Sequence, residues 1–337
     1  MVLSVLLQCG ILFCVCVVVF TIIFMIYIRL SEERFNVKCK CTPRLDGKTV
    51  LLTGGSSGIG LETARNLARR GPRLIITCVN EKAAKAAAED LIATTGNKDI
   101  HYRQLDLSSF DNVQNFVKDF NESFDKLHIL VNNAGISNAD NTLTKDGIEN
   151  TMQVNHVAPA LLTLLLLPKL DASKPSRIVA VSSKACKYAD FTLKDLNSAY
   201  YIGRSLSSWK RYANSKLCGL LWTKALSRRL PEGITTNALH PGIISTKIYV
   251  SEKCNPVIKS LFLFVLGKLF KTTEEGAQTS IHSCVSPHLE GVSGQYLSEC
   301  EVSKTVPAFE DFEYTEEIWK ATRSLIVSRL TNDTDLS

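Results

Sequence analysis

A chain of 337 residues with 45% hydrophobic content can bury a substantial core, as one large domain or two small ones. Its net charge of +6 is too small and too diffuse to point to nucleic acid. Eleven cysteines, an odd number without regular spacing, exclude a complete disulfide framework and fit a reducing compartment.

Residues 2–28 carry no charge, and 11–28 read "ILFCVCVVVFTIIFMIYI". An apolar run of 18 or more residues spans a hydrocarbon core of roughly 30 Å as a helix. A cleaved signal peptide would begin with basic residues and end at small ones, and neither is present. Residues 1–30 therefore read as a retained membrane anchor. Arg29, Arg34, Lys38, Lys40 and Arg44 follow it. The positive-inside rule then puts the remainder in the cytosol, with 31–45 as a basic juxtamembrane linker suited to anionic lipid. The sequons at Asn121 and Asn332 should accordingly carry no glycan. Cys39 and Cys41, in "KCKC", invite a metal or a palmitoyl group. With no second cysteine pair and no nearby His, no metal site is expected.

From residue 46 short apolar runs alternate with helix-length segments. Strands are predicted at 50–53, 74–77, 101–105, 129–132, 178–182 and 235–239, with a late one near 295–297. The clearest helices are predicted at 59–70, 81–95 and 110–121. Runs such as "VLLT" and "RIVAVS" are almost wholly apolar, as strands buried on both faces are. The alternation predicts an α/β domain over 46–330, a doubly wound parallel sheet with helices on both faces. Residues 331–337 form a polar tail.

The first strand leads into "TGGSSGIG", residues 53–60. Glycines at a strand-to-helix switch let a pyrophosphate approach the backbone, and the helix N-terminus offers free N–H groups. Gly54, Ser56, Ser57, Gly58, Ile59 and Gly60 form this candidate cradle. The tip of the second strand decides the nucleotide: an acid there holds a ribose 2′-hydroxyl, an Arg accepts a 2′-phosphate. Cys78, Val79 and Asn80 offer neither, so NAD(H) and NADP(H) both stay open, with Lys82 or Lys85 as phosphate partners or as a solvated helix face. Further on, "YANSK" sets Tyr212 and Lys216 four apart, on one face if helical. An ammonium beside a phenol favours the phenolate and makes a usable proton donor or acceptor.

Seven motifs stand in order: "TGGSSGIG", "DLSS" from Asp106, "NNAG" from Asn132, "VNHVAP" around Asn155, "VSS" ending at Ser183, "YANSK", and "HPGIISTKI" from His240. In this the chain resembles the short-chain dehydrogenase/reductase family, and within it the membrane-anchored, retinol dehydrogenase-like branch. The resemblance implies a Rossmann-type fold and an NAD(P)-dependent oxidoreductase. It implies that Tyr212 exchanges a proton with the substrate oxygen, that Lys216 lowers its pKa and holds the nicotinamide ribose, that Ser183 hydrogen-bonds that oxygen, and that Asn155 serves a water-linked relay. Asp106 and Leu107 would sit by the adenine, and Asn80 is a further cofactor-binding candidate. Asn133, Ala134 and Gly135 would line the cofactor, and Pro241, Gly242, Ile244 and Thr246 its nicotinamide end. NADP(H) is favoured by the resemblance, although Val79 stands where NADP-linked relatives carry an Arg.

The long interval between Ser183 and Tyr212 reads as a loop over the site, and its tyrosines at 188, 200 and 201 lack a Lys four residues on. Residues 257–270 read as an apolar lid with basic edges, suited to a lipophilic substrate, or as a core or dimer-interface helix. His156, His240 and His282 lack metal-binding spacing. Residues 316–330, with Trp319, predict an amphipathic terminal helix. The expected protein is thus a membrane-anchored enzyme on the endoplasmic reticulum or lipid droplet, facing the cytosol, that interconverts a lipophilic alcohol and its aldehyde or ketone. A retinoid leads, with steroid, fatty-aldehyde and isoprenoid-aldehyde substrates as alternatives. A homodimer is open, and a non-catalytic nucleotide-binding adaptor is the rival of another class.

Overall fold

The computed structural model describes residues 37–137, 141–190, 207–244 and 270–330, together with Val19, Phe20, Ile23 and Tyr27. The last four, the described part of the expected anchor, are helical, with side chains 46% to 70% exposed. The expected lid at 257–270 except Phe270, and Thr246, Tyr200, Tyr201 and the polar tail, lie outside the described residues.

Eight strands form one sheet in the order β3-β2-β1-β4-β5-β6-β7-β8. They are β1 (Thr49–Thr53), β2 (Arg73–Cys78), β3 (Ile100–Gln104), β4 (Ile129–Asn132), β5 (Ser176–Val181), β6 (Ile234–Leu239), β7 (Tyr296–Ser298) and β8 (Glu301–Val302). The first seven pair in parallel and β8 antiparallel. Seven strands fall where the apolar runs predict them. The eighth is a two-residue exposed edge strand, turned by Glu299 and Cys300 at φ 54° and 61°. Two positive φ values in succession suit a tight hairpin, but neither residue is the Gly or Asn that signals one.

The order reverses at β1, which runs on to β2 and β3 on one side and β4 to β7 on the other. Alternate residues of β1 and β2 point to opposite faces. Leu51 and Ile75 join one core, which also holds Phe110, Leu161, Leu221 and Ile318. Val50, Leu52, Leu74 and Ile76 join a second with Leu67, Leu91 and Ile281. Helices therefore cover both faces: α1 (Gly58–Ala68), α2 (Glu81–Thr95) and α6 (Thr273–Val285) on the second core, and α3 (Phe110–Ser123), α4 (Asn150–Asp171), α5 (Ser208–Ser227) and α7 (Phe312–Arg329) on the first. By length and composition α4 would suit a membrane span, but its apolar window is 67% buried in the domain, and it serves as a core helix. The terminal helix α7 packs as its pattern predicts, with Trp319 stacked on Trp222 of α5 at 5.7 Å.

Buried charge ties α4 to α5. Glu149 caps α4 by accepting the Met152 N–H at 2.7 Å, and its other oxygen lies 3.3 Å from Nε of Arg211. Both side chains are almost wholly buried. The two atoms form an ion pair without the alignment of a hydrogen bond. Breaking a buried pair of this kind costs roughly 3–5 kcal/mol. Glu149→Ala is therefore expected to lower unfolding stability by roughly that amount, read from denaturant midpoints of the full chain in detergent. A loss under about 1 kcal/mol, the ceiling for an exposed pair, would show that the pair is not a structural tie.

Candidate active site

The end of β1 opens a cradle. Gly54 has a φ of +70° and Gly58 of +58°, conformations that favour glycine. A Cβ on Gly60 would stand 2.1 Å from the Gly54 carbonyl oxygen, and one on Gly55 would stand 2.8 Å from Ile76. The turn is pinned from β4: Asn133 Nδ2 donates to the Thr53 and Gly54 carbonyls at 2.8 and 3.2 Å, while Thr53 Oγ1 accepts the N–H groups of Asn133 and Ala134 at 3.0 and 3.1 Å. The N-terminus of α1 has no side-chain cap and no acid in its first turn. Its N–H groups and positive dipole end face the loop.

Above the cradle lies a cavity of about 700 Å³. Gly54, Ser56, Ser57, Gly58, Ile59 and Gly60 line it from β1, Asp106 and Leu107 from the end of β3, and Asn133, Ala134 and Gly135 from the end of β4. A cradle that a Cβ would fill, an uncapped helix end and this volume together fit a dinucleotide. Of the predicted cofactor residues, Asn80 faces elsewhere: its Oδ1 caps α2 by accepting the Ala83 N–H at 3.0 Å, and Thr77, Cys78 and Val79 form the wall. Asp106 is the one charged residue among the described residues lining the cavity. Val154, from the "VNHVAP" motif, lines it as well, as do Thr77, Asn150 and Thr273, which no motif marks.

Lys216 and Tyr212 share one face of α5, both buried. The Lys216 ammonium lies 5.8 Å from the Tyr212 ring centre and donates to the Val181 carbonyl at 2.9 Å. Burial lowers its pKa from 10.5 to about 8. Asn155 sits in a π-helical turn, Gln153–Val157, within α4. Its amide holds Ile136 at both ends, accepting its N–H and donating to its carbonyl, each at 2.8 Å, and donates to Ser215 Oγ at 2.9 Å. Gly135 makes this convergence possible: a Cβ there would lie 3.1 Å from Lys216 Nζ and 3.2 Å from Asn155 Oδ1. Ser183 closes β5 and accepts the Ala185 N–H at 3.2 Å, starting a short 3-10 turn. Ala185 packs on Tyr212, which brings the Ser183 segment to the tyrosine.

The segment after β6 reaches the same end of the sheet. Gly242 has φ +88° and donates its N–H to His240 Nδ1, whose other ring nitrogen meets Ser298 Oγ at 2.9 Å. Pro241 and Ile244 lie over Gly276 of α6, with Ile244 buried. His156 is buried against Thr322 Oγ1 at 2.9 Å, so His156 and His240 are spent on internal hydrogen bonds. His282 differs: it meets Cys39 and Cys41, and the expectation that no His stands near the cysteine pair is corrected in space.

A family model described as "short chain dehydrogenase" matches residues 48–195. The chain is 39% identical to human retinol dehydrogenase 14 (Homo sapiens) over 297 residues, 84% of this chain and 87% of that protein. It is 38% identical to retinol dehydrogenase 12 of Bos taurus over 293 residues, 86% of this chain and 89% of that one. Among solved structures it is similar to a short chain dehydrogenase from Burkholderia cenocepacia J2315 in complex with NADP, at 29% identity and a TM-score of 0.58, covering 75% of this chain and 96% of that one. With the glycine cradle, the doubly wound sheet and the Tyr212–Lys216 face, these similarities place the chain in the short-chain dehydrogenase/reductase family, in its retinol dehydrogenase-like branch, as an NAD(P)-dependent oxidoreductase acting on CH–OH groups.

Proposed function

We propose that the protein interconverts a membrane-derived lipophilic alcohol, retinol in the first place, and its aldehyde, with NADP(H) as cofactor. The observation that carries this reading is the buried Lys216, held beside Tyr212 and, with Asn155, against Gly135 in the wall of the dinucleotide cavity. When bound, the nicotinamide supplies or takes the hydride. Tyr212 exchanges the proton with the substrate oxygen, and the Lys216 charge favours its phenolate. The Ser183 hydroxyl only accepts in its cap, so its own proton is available to the substrate oxygen. A cavity of about 30 Å³ bounded by Asn132, Asn155, Ser182 and Lys216 exceeds the volume one water needs, about 10–15 Å³. It supports a proton route from Lys216 past Asn155. Asn133, Ala134 and Gly135 hold the cofactor wall, Pro241, Gly242 and Ile244 its far end, and Thr246 follows in sequence.

The membrane reading rests on the uncharged run at 2–28 and its basic flank. Such an anchor would set the domain on the cytosolic face of the endoplasmic reticulum or lipid droplet, within reach of a lipid-dissolved substrate. The NADP(H) assignment rests on the wall beside Cys78 and Val79, where no Asp or Glu of β2 repels a 2′-phosphate. NAD(H) is the second reading, because the same wall also lacks a cation.

The full chain in mild detergent should oxidise NADPH with retinal faster than with a long-chain aldehyde or a keto-steroid. Tyr212→Phe should lower kcat by roughly 10²–10⁴-fold with nucleotide binding retained. Unchanged turnover in that variant would remove Tyr212 from the chemistry. Val79→Arg is expected to tighten NADPH about tenfold, about 1.4 kcal/mol, and to leave NADH unaffected; equal effects on both nucleotides would argue against a 2′-phosphate at this wall. Lys216 gives a pH test on the ligand-free chain. Its folded pKa of about 8 lies below the ordinary 10.5, so the unfolded chain binds more protons between those values and stability rises with pH across that window. Below about pH 8 the full cost of the buried ammonium is present, about 3 kcal/mol. Lys216→Met should therefore melt above wild type at pH 7, with the gap closing towards pH 10. A gap independent of pH would mean that Lys216 is not desolvated.

A further inference from the structure

Away from the cofactor cavity, the fold gathers one set of soft side chains. Cys41 Sγ lies 3.6 Å and Cys39 Sγ 4.0 Å from Nδ1 of His282. The three donor atoms all fall within 4.8 Å of one another, and all three residues are half-buried. The partners stand more than 200 positions apart in the chain, so the fold itself makes this meeting. Two further contacts hold the segment in place. The Cys39 N–H donates to Gln278 Oε1 at 3.0 Å, and Gln278 stands one helical turn before His282 on α6. Arg70 donates to the carbonyls of Cys41 and Pro43 at 2.9 and 2.8 Å, and its own carbonyl accepts the Leu45 N–H at 2.8 Å. The backbone is thus fixed on both sides of the thiols, which are presented together to one imidazole.

We propose that Cys39, Cys41 and His282 form a zinc(II) site that clips the juxtamembrane segment onto α6. Zinc takes thiolate at about 2.3 Å and imidazole nitrogen at about 2.0–2.1 Å in tetrahedral geometry, which sets S···N near about 3.6 Å and S···S near about 3.8 Å. The Cys41–His282 distance of 3.6 Å matches this spacing, and the Cys39–His282 distance of 4.0 Å needs only a small movement to reach it. Two sulfurs and one nitrogen select a borderline-soft metal over magnesium or calcium. Binding releases the two thiol protons to solvent, and two thiolates with a neutral imidazole balance the charge of the ion. No electron moves, and a water completes the fourth position. The clip bears on the cofactor site, because Thr273, the first residue of α6, lines the cavity and Gly276 lies beneath Ile244.

The test uses the full chain purified in detergent under reductant, stripped with chelator and titrated with cobalt(II), then zinc(II). One cobalt per chain is expected, with a thiolate-to-cobalt charge-transfer absorption that zinc abolishes. The band should vanish in Cys39→Ser/Cys41→Ser, and His282→Asn should weaken metal binding at least about tenfold. Retained NADPH fluorescence titration would show that these variants are folded. Should the double variant fail to fold, the wild-type chain decides alone: zinc must raise its melting temperature and chelator must reverse the rise. The proposal is overturned by a charge-transfer band that survives in the folded double variant, by the absence of any metal-dependent melting shift in wild type, or by a Cys39–Cys41 disulfide that persists under reductant and takes no metal.

Discussion

Lys216 stands 5% exposed in the middle of α5, where desolvation opposes its charge, and the surrounding residues are arranged around that opposition. Its ammonium has the Val181 carbonyl as hydrogen-bond partner, supplied by the last residue of β5. Gly135, just past β4, leaves it room: a Cβ there would lie 3.1 Å from its Nζ, close enough to push it aside. The tie between Glu149 and Arg211 fixes the start of α5 one residue before Tyr212. A lysine so placed is poorly solvated and keeps its proton less firmly than a surface lysine. That makes its charge responsive to a bound anion or a nearby phenol near neutral pH.

The π turn of α4 belongs to the same arrangement. A wider turn is less well bonded than an α-helical one and persists where surrounding contacts determine it. Here the Asn155 side-chain amide, carried on that turn, pairs with both the N–H and the carbonyl of Ile136, as an adjacent strand would. The loop after β4 is thereby held at the cofactor wall without a strand to support it. Asn155 also donates to Ser215, the residue before Lys216, so one amide couples the loop, α4 and α5. A buried polar network of this kind is costly when partly satisfied and rigid when complete.

The sheet was readable because buried parallel strands are continuous apolar runs, and the first three helices because their apolar faces follow the helical period. The glycine loop was readable because Gly54 and Gly60 occupy positions where no other residue fits. Less legible were residues whose role depends on what surrounds them. Asn80 is a cofactor-binding candidate from its place after β2, yet its side chain caps α2, a local bond that a short amide finds readily. Thr53 opens the glycine motif, but its hold on the β4 loop depends on a distant segment, and no motif announces Thr273 at the cavity. The meeting of Cys39 and Cys41 with His282 was invisible for the same reason: metal-binding spacing is a property of local sequence, and this cluster is assembled across the whole domain.

Helix α6 connects these observations. Its capping box at Thr272 and Glu275 fixes its first turn beside the cofactor cavity. Gln278 and His282, one and two turns on, receive the segment that leads from the N-terminal apolar run. A 13-residue helix bonded at both ends and packed through Ala277, Ile281 and Val285 into the second core behaves as a single stiff body. The Cys39 segment and the end of the cofactor cavity are therefore fixed to one element. If the apolar run is the anchor proposed above, this segment would orient the mouth of the cavity as well as tether the domain, because the Cys39–Gln278 bond fixes it to α6 and the Arg70–Cys41 bond fixes it to the end of α1.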